Sequence, residues 1–229
     1  MHKAPVLFIS TVINIVLLSL PLVFIETDVA EYLSRPVTWI YYGLMTAFCF
    51  MEAHTSIRRP DRICAKPEKT YLPYVTGILL LSVFWISIFE YLISFQFNLI
   101  ATIAGALMIA IGIATRVSSI SELGEYFVSH IGHLKDHKLV TTGLYAYSRH
   151  PSELGLLLIC AGTAIVLSSI NGFLLTVLAI FPLTVYRIYL EDQLLLSLFG
   201  DKYRAYKSNV PGLVPNIFAR KKRSQGINI

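Results

Sequence analysis

Six apolar segments, most of them long enough to cross a membrane as a helix, constrain the fold of this chain more than any other feature. Their bounds are 5–25, 37–51, 71–92, 98–115, 152–168 and 172–190. A membrane-crossing helix needs about 20 mostly apolar residues, with ~17 as a working minimum. The second segment reaches that length only if Trp39, Tyr41 and Tyr42 extend it through the membrane interface, where aromatic rings are favourable.

The composition excludes a water-soluble globule. Hydrophobic residues make up 55% of the chain and charged residues only 14%, whereas a soluble domain carries about 25% charged residues. We therefore predict an all-α, polytopic membrane helix bundle of about six spans. It forms a single integral-membrane domain over residues 1–229, with four N-terminal spans in 1–115 and a second half in 116–229.

The distribution of basic residues predicts the orientation of the bundle. In the six-span arrangement, all of the 19 Lys and Arg residues except Arg35 lie on one side of the membrane. Positive residues accumulate on the cytoplasmic side, so we expect both termini and the polar segments after residue 115 to be cytosolic. The basic run 220–223 then indicates a stop signal or contact with anionic membrane lipid. The sequence indicates neither a nucleic-acid partner nor an obligate protein partner.

Three patterns predict how the helices are arranged. Apolar residues recur at helical spacing over 116–130, which favours a helix lying in the interface after the fourth span. Gly155 and Gly162 lie seven residues apart on one helical face, which permits close packing against another helix. Only the short segment 168–171 separates the last two spans, so they are predicted to form a tight helical hairpin.

A polar segment, 137–151, lies between apolar runs. Such a cluster must be hydrated, internally paired or bound to something polar, because desolvating unpaired polar groups is costly. A turn centred on Gly143 is predicted to expose backbone groups to a ligand. Pro151 suits the first turn of the next helix, and the free N–H groups of that helix favour an anionic group of a ligand.

Three histidines in this region, His130, His133 and His137, have a spacing that would place them on one helical face. Gly132 makes a continuous helix doubtful there, and no Cys or His in the second polar segment completes a ligand set. We therefore expect no metal.

A second polar segment begins at Arg187, at the end of the last apolar run. Arg187 and Glu191 lie four residues apart on one helical face, which leaves two interpretations open. They form an ion pair reaching the membrane interface, or Arg187 orients a carboxylate, which its planar guanidinium pairs with bidentately.

The order and spacing of these motifs resemble the isoprenylcysteine carboxyl methyltransferase family. The resemblance covers about the last half of the chain, from roughly Arg116 onward. The motifs are His137-x-Leu-Val-x-x-Gly-x-Tyr, then Arg149-His-Pro-Ser, then Arg187-x-x-x-Glu-Asp followed by Phe-Gly-x-x-Tyr-x-x-Tyr and Val-Pro…Pro.

The resemblance implies an integral-membrane carboxyl methyltransferase that uses S-adenosylmethionine (SAM), with residues 116–229 as its catalytic half. It makes Arg187 and Glu191 the catalytic residues, with Arg187 binding the carboxylate of a lipophilic or lipidated substrate. The cofactor-binding residues that it implies are His130, His137, Lys138, Leu139, Val140, Gly143, Tyr145, Arg149, His150, Pro151, Ser152, Glu153 and Glu191.

Two positions differ from the pattern of that family. Glu153 stands where an aromatic residue commonly follows Arg-His-Pro-Ser, and Glu191-Asp192 stands in place of Glu-Glu. Similar C-terminal halves occur in phospholipid N-methyltransferases and in NADPH-dependent membrane sterol reductases. These two activities, and a structural membrane protein without activity, stay open as alternatives.

The residue types suit methyl transfer to a carboxylate. The nucleophile is already ionised at pH 7, so the reaction needs no general base. The protein has to align the two reactants and exclude water, and an aromatic face such as Tyr145 stabilises a sulfonium by cation–π attraction. No Gly-x-Gly occurs in the sequence, so the cofactor site differs from the Gly-rich turn of soluble methyltransferases.

The predicted orientation is tested by topology reporters. Reporters placed after Ile229 and near Arg62 are expected in the cytosol, and one near Glu31 on the opposite side. Protease protection or glycosylation of the reporters measures their location. Opposite locations for the Arg62 and C-terminal reporters would show that the six-span arrangement is wrong.

Overall fold

The computed structural model describes residues 3–24, 29–57, 71–127 and 138–215, and these residues form helices and connecting loops without strands. The α-helices are α1 Lys3–Ser19, α2 Val29–Ser34, α3 Pro36–Ile57, α4 Leu72–Ser94, α5 Leu99–Leu123, α6 Pro151–Val166, α7 Ile170–Leu175, α8 Phe181–Phe199 and α9 Asp201–Asn209. Short 3₁₀ turns cover Leu20–Val23, Gly124–Tyr126 and Gly143–Ala146, and a π-helical turn, Thr176–Ile180, joins α7 to α8.

The predicted all-α membrane bundle is confirmed. Each of the six apolar segments lies largely within one helix or one continuous helical stretch. Among the described residues, four stretches are long and apolar enough to cross a membrane: Pro5–Val23, Leu72–Ser94, Leu99–Tyr126 and Ile170–Phe199. The other two predicted spans correspond to α3, which has 22 residues, and to α6, which is apolar but has only 16.

Apolar side chains cover the outside of the bundle as well as its core. Phe8, Ile100 and Leu178 are examples of large apolar residues that are at least 70% exposed. Exposed apolar surface on this scale is unfavourable in water but suits contact with lipid chains. The core between the helices is filled by a continuous cluster that includes Tyr41, Met45 and Ile88.

The predicted interfacial helix over 116–130 is wrong in one respect. The described part of this segment is no separate helix, because α5 continues through Arg116 to Leu123 and ends in the 3₁₀ turn at Tyr126. With 25 residues, α5 is about 37 Å long and exceeds the ~30 Å hydrocarbon core. The polar residues at its C-terminal end are therefore carried beyond the apolar layer on a rigid helix.

Helices α5 and α6 pack in direct backbone contact. A Cβ atom built on Gly155 would lie 2.6 Å from the carbonyl oxygen of Gly112, and one on Gly162 would lie 2.8 Å from that of Gly105. Both helices thus contribute glycines seven residues apart, and the predicted packing role of Gly155 and Gly162 is confirmed. This contact fixes the N-terminal turn of α6 beside Arg116.

The predicted hairpin between the last two spans is also present. The Ser169 hydroxyl accepts a hydrogen bond from the Gly172 N–H at 2.9 Å and thereby caps α7. It also donates to Glu90 of α4 at 2.7 Å. From this hairpin the helical stretch 170–199 runs back to the end of the bundle where α5 ends and α6 begins.

The chain turns at Gly200, which has a positive φ of 55° and connects α8 to α9. Tyr203, Tyr206 and Val210 are buried together against α8 and the loop before α6. The segment after α9 therefore lies on the bundle and closes the end that carries the polar motifs.

The glycine contact generates a stability prediction. Gly155→Ala places a methyl group against backbone atoms that cannot move unless the helices separate, and we expect a loss of about 1–3 kcal/mol in unfolding free energy. Gly43→Ala is the matched control, because no atom beyond its chain neighbours and its own helix backbone lies within 4 Å of the added Cβ. Thermal unfolding in detergent measures both variants. Equal melting temperatures would contradict a tight α5–α6 contact.

Candidate active site

A cavity of about 280 Å³ lies at the end of the bundle where helices α3, α4, α5, α6, α8 and α9 meet the loop 138–150. This is close to the lower end of small-molecule sites, which occupy ~300–1,000 Å³. Ten of the predicted site residues line it: Lys138, Leu139, Val140, Tyr145, Arg149, His150, Ser152, Glu153, Arg187 and Glu191. The two polar segments of the sequence therefore meet in one site.

The predicted residues His130 and His137 lie outside the described residues. Two further predicted residues, Gly143 and Pro151, are not among the residues that line the cavity. Pro151 is buried and is the first residue of α6, a position that the fixed φ of proline favours. Its role in the structure is to start that helix.

The sequence predicted that the turn at Gly143 exposes backbone groups to a ligand. This is wrong for the N–H groups of Leu144 and Tyr145, which are hydrogen-bonded within the protein. The Leu144 N–H donates to the Glu122 carboxylate of α5 at 3.0 Å, and the Tyr145 N–H donates to the Thr142 carbonyl at 2.9 Å. Gly143 has a φ of 51°, and a Cβ there would overlap the Glu122 carboxylate. Glycine is thus required for the close approach of the turn to α5.

Asp192 on α8 is the centre of a buried polar network, with only 5% of its side chain exposed. Its Oδ2 lies 2.9 Å from Arg149 Nη2 and 3.0 Å from Lys207 Nζ. Its Oδ1 lies 3.0 Å from His150 Nε2 and accepts a hydrogen bond from the Tyr203 hydroxyl. One carboxylate thus joins the loop before α6 to α8 and α9.

Backbone hydrogen bonds hold the segment after α9 against the same loop. The Arg149 N–H donates to the Pro211 carbonyl and the His150 N–H to the Gly212 carbonyl, both at 2.9 Å. The Arg149 guanidinium donates to the Val210 carbonyl at 2.6 Å. The segment that contains the Val-Pro motif therefore binds the loop that carries Arg149 and His150 and holds it in place.

His150 is 4% exposed and lies between two carboxylates. Its Nδ1 is 3.3 Å from Glu191 Oε2, and its Nε2 faces Asp192. Burial by itself lowers the pKa of His150, but the charge of Glu191 and the hydrogen bonds to both carboxylates raise it, and the net pKa is about 9. His150 is therefore a cation at neutral pH.

Arg187 points towards other helices. Its Nη2 lies 3.3 Å from Glu153 Oε1 on α6, and its Nη1 donates to the Thr76 hydroxyl on α4 at 3.1 Å. The side chain of Arg187 is 16% exposed. These cross-helix contacts show that Arg187 interacts beyond its own helix, and they place the guanidinium at the cavity wall.

Two charged residues of the cavity, Arg116 and Glu52, were not predicted from the sequence. They form an ion pair between α5 and α3, and Arg116 Nη1 donates to the Ser152 hydroxyl at 2.9 Å. Both residues lie outside the two polar segments. The only sequence signal was the presence of a charged residue close to the end of an apolar run, which is uncommon in a membrane helix unless it is paired.

The cavity thus combines three chemical properties. Its arginines Arg116, Arg149 and Arg187 each lie beside a carboxylate. Glu191 presents a partly exposed carboxylate, with 46% of its side chain accessible. Tyr145 adds an aromatic wall, and burial raises the pKa of its phenol well above the ordinary value, so that it stays neutral. Such a site can orient a charged reactant.

Comparisons with known proteins identify the family of this chain. The model of the phospholipid methyltransferase family matches residues 100–202. The protein-S-isoprenylcysteine O-methyltransferase of Dictyostelium discoideum is 30% identical over 183 residues, which are 76% of this chain and 75% of the relative. The chain belongs to the isoprenylcysteine O-methyltransferase family.

Two further comparisons describe the extent of the likeness within this family. The Schizosaccharomyces pombe enzyme is 38% identical over 131 residues, 56% of this chain, and the chain spans only 55% of that relative. The structure of the eukaryotic intramembrane Ras methyltransferase, isoprenylcysteine carboxyl methyltransferase, superimposes with a TM-score of 0.58 at 26% identity. It covers 80% of this chain and 68% of its own. The family membership confirms the resemblance inferred from the motifs.

The environment of His150 generates a pH prediction. Because its pKa of about 9 in the folded protein exceeds the ordinary value of 6.5, the folded state holds the proton more tightly than the unfolded state. The resulting stabilisation, on the order of 3 kcal/mol, is complete below pH 6.5 and is lost as the pH rises through 9. Denaturant unfolding between pH 6 and 10 measures this loss. The control His150→Gln removes the titrating group, and an unchanged pH profile in that variant would contradict the assignment.

Proposed function

We propose that this chain is a SAM-dependent methyltransferase that O-methylates the carboxylate of an isoprenylcysteine-like or other lipophilic substrate. The observation that carries the proposal is the convergence of Arg187, Glu191 and His150 on one cavity at the end of a membrane helix bundle. Membership of the isoprenylcysteine O-methyltransferase family supports the same reaction and does not favour a reductase or a protein without activity.

The cavity suits SAM in the chemistry of its walls. The partly exposed Glu191 carboxylate matches a cationic group, and the aromatic ring of Tyr145 matches a sulfonium. The loop residues Lys138, Leu139 and Val140 supply a further wall on the α9 side. When bound, SAM supplies a methyl group on a positively charged sulfur. We infer that these residues, together with the Arg149–Ser152 step, hold it from the cytosolic side.

The substrate part of the cavity lies between membrane helices. Arg187 of α8 faces Thr76 of α4, and the apolar residues Leu80 and Leu156 line the cavity from α4 and α6. A carboxylate held at Arg187 is therefore next to apolar walls that suit a hydrocarbon chain. We infer that the substrate is a lipid or a lipidated molecule that reaches the site from the membrane.

The protein then contributes to the reaction by aligning the substrate carboxylate with the methyl donor. A carboxylate is ionised at neutral pH, so no residue has to remove a proton from it. Arg187 orients the carboxylate through its planar fork, and orientation alone can supply several kcal/mol of the barrier. The segment after α9 and the buried network at Asp192 hold the loop 138–150 against the cavity. We infer that this arrangement excludes water from the reacting atoms.

A second candidate reaction is N-methylation of an amine on a phospholipid-like substrate. Two observations favour it: the matching family model is described as phospholipid methyltransferase, and Glu153 adds a carboxylate beside Arg187. The products distinguish the two reactions, because a methyl ester is released by mild base and an N-methyl group is not. Incubation with labelled SAM followed by base treatment of the lipid product measures the difference.

The role of Arg187 generates a kinetic prediction. Lys keeps the charge but cannot reproduce the bidentate fork, so Arg187→Lys is expected to lower turnover by on the order of 100-fold, as for a misplacement of about 1 Å. SAM affinity is expected to stay near that of the wild type. Arg204→Lys is the matched control, since Arg204 is 72% exposed on α9 and lies outside the cavity. Equal turnover in wild type and Arg187→Lys would contradict the clamp, and lost SAM binding would move Arg187 to the cofactor site.

A further inference from the structure

Gly77 of α4 lies at the border between the cavity and the outer surface of the bundle. Four residues of α4 line the cavity: Pro73, Thr76, Gly77 and Leu80. Tyr74 and Ile78 lie on the outer face of the same helix, and these residues are 74% and 66% exposed. At about 100° per helical residue, Gly77 falls between these two faces, and it is itself exposed. The cavity therefore opens towards the membrane beside Gly77.

Helix packing does not explain a glycine at this position. Glycines of membrane helices commonly let two backbones approach closely, as Gly112 and Gly155 do here, where an added Cβ would lie 2.6 Å from a carbonyl oxygen. A Cβ on Gly77 would meet no atom within 4 Å beyond its chain neighbours and its own helix backbone, in the part of the chain that the structure describes. The missing side chain thus leaves open space at the mouth of the cavity.

The cavity has too little room for both complete reactants of the proposed reaction. Its volume of about 280 Å³ is near the lower end of the range for a single small-molecule site, ~300–1,000 Å³. The carboxylate head of an acceptor fits at Arg187, but a long hydrocarbon tail has to extend out of the cavity. Thr76, which accepts a hydrogen bond from Arg187 at 3.1 Å, immediately precedes Gly77. A tail that runs from Arg187 into the membrane therefore passes beside Gly77.

We propose that Gly77 is a specificity residue, whose missing side chain admits acceptors with a bulky, methyl-branched hydrocarbon tail through the mouth of the cavity. This inference rests on the proposed function, in which Arg187 binds the acceptor carboxylate. A side chain at position 77 would fill the space that the tail occupies. Alanine takes the room of one methyl branch, and leucine also narrows the passage for an unbranched chain. The bulk at this position therefore sets which tails the site accepts.

Direct binding of two acceptors to the full chain in lipid nanodiscs tests the proposal. The probes are N-acetylcysteine thioethers with a farnesyl and a dodecyl tail, which have equal main-chain length and differ chiefly in methyl branches. Gly77→Leu is expected to weaken farnesyl binding on the order of tenfold more than dodecyl binding, since one methylene in an apolar pocket gives about 10-fold discrimination or more. Gly77→Ala is expected to lie between wild type and Gly77→Leu. Gly43→Leu is the matched control, because Gly43 is an equally open, exposed glycine on α3 outside the cavity lining, and it keeps both affinities.

The outcomes separate this proposal from the proposed function. Unchanged farnesyl affinity in Gly77→Leu overturns the role of Gly77, and so does an equal loss for both tails; Gly77→Ala gives the same comparison if Gly77→Leu fails to fold. A loss of SAM affinity in Gly77→Ala with both acceptor affinities intact also overturns it, because the residue then acts on the cofactor. A selective loss of farnesyl binding without methyl transfer by wild type supports Gly77 and counts against the methyltransferase alone. Methyl transfer by Gly77→Leu to both acceptors at the wild-type ratio does the reverse.

Discussion

The polar end of the bundle, which contains the cavity, depends on the ion pairs and hydrogen bonds of the Asp192 carboxylate. This carboxylate lies on the same continuous helical stretch as the last span, and it receives Arg149 and His150 from one segment and Tyr203 and Lys207 from another. A buried charge is tolerated only when it is paired and hydrogen-bonded. The loop before α6 and helix α9 therefore have to pack onto α8 together. If either one is absent, the carboxylate keeps only half of its partners.

The glycine contact between α5 and α6 extends this constraint into the membrane. Because the two backbones touch at Gly112 and Gly155, Arg116 of α5 comes within hydrogen-bond distance of Ser152, in the first turn of α6. That turn also carries Glu153. The orientation of Glu153 towards Arg187 is thus set by a helix contact, and the site is built on rigid elements, which hold side chains more precisely than a mobile loop does.

Much of this architecture is readable from the sequence, because the apolar runs and the order of the polar motifs are local patterns. They predicted the helices and the hairpin before α7, whereas the grouping of the two polar segments in one site was implied by the family resemblance. The ion pairs between helices could not be predicted from the sequence. Arg116 and Glu52, for example, are 64 residues apart, and no periodicity relates them. The turn at Gly143 shows the same limit. Its glycine was recognised, but its partner Glu122 belongs to a helix that the sequence alone ended too early.

The pairing of charges in the cavity has a consequence for selectivity. In a site surrounded by membrane helices, charge interactions are screened less than in water, so each arginine of the cavity lies beside a carboxylate. A ligand that brings a carboxylate to Arg187 does not meet a free cation; it enters an existing ion pair with Glu153. The binding energy is then the difference between two arrangements of charge. An anion therefore gains less here than at an unpaired arginine, which is the selectivity that the ion pair imposes.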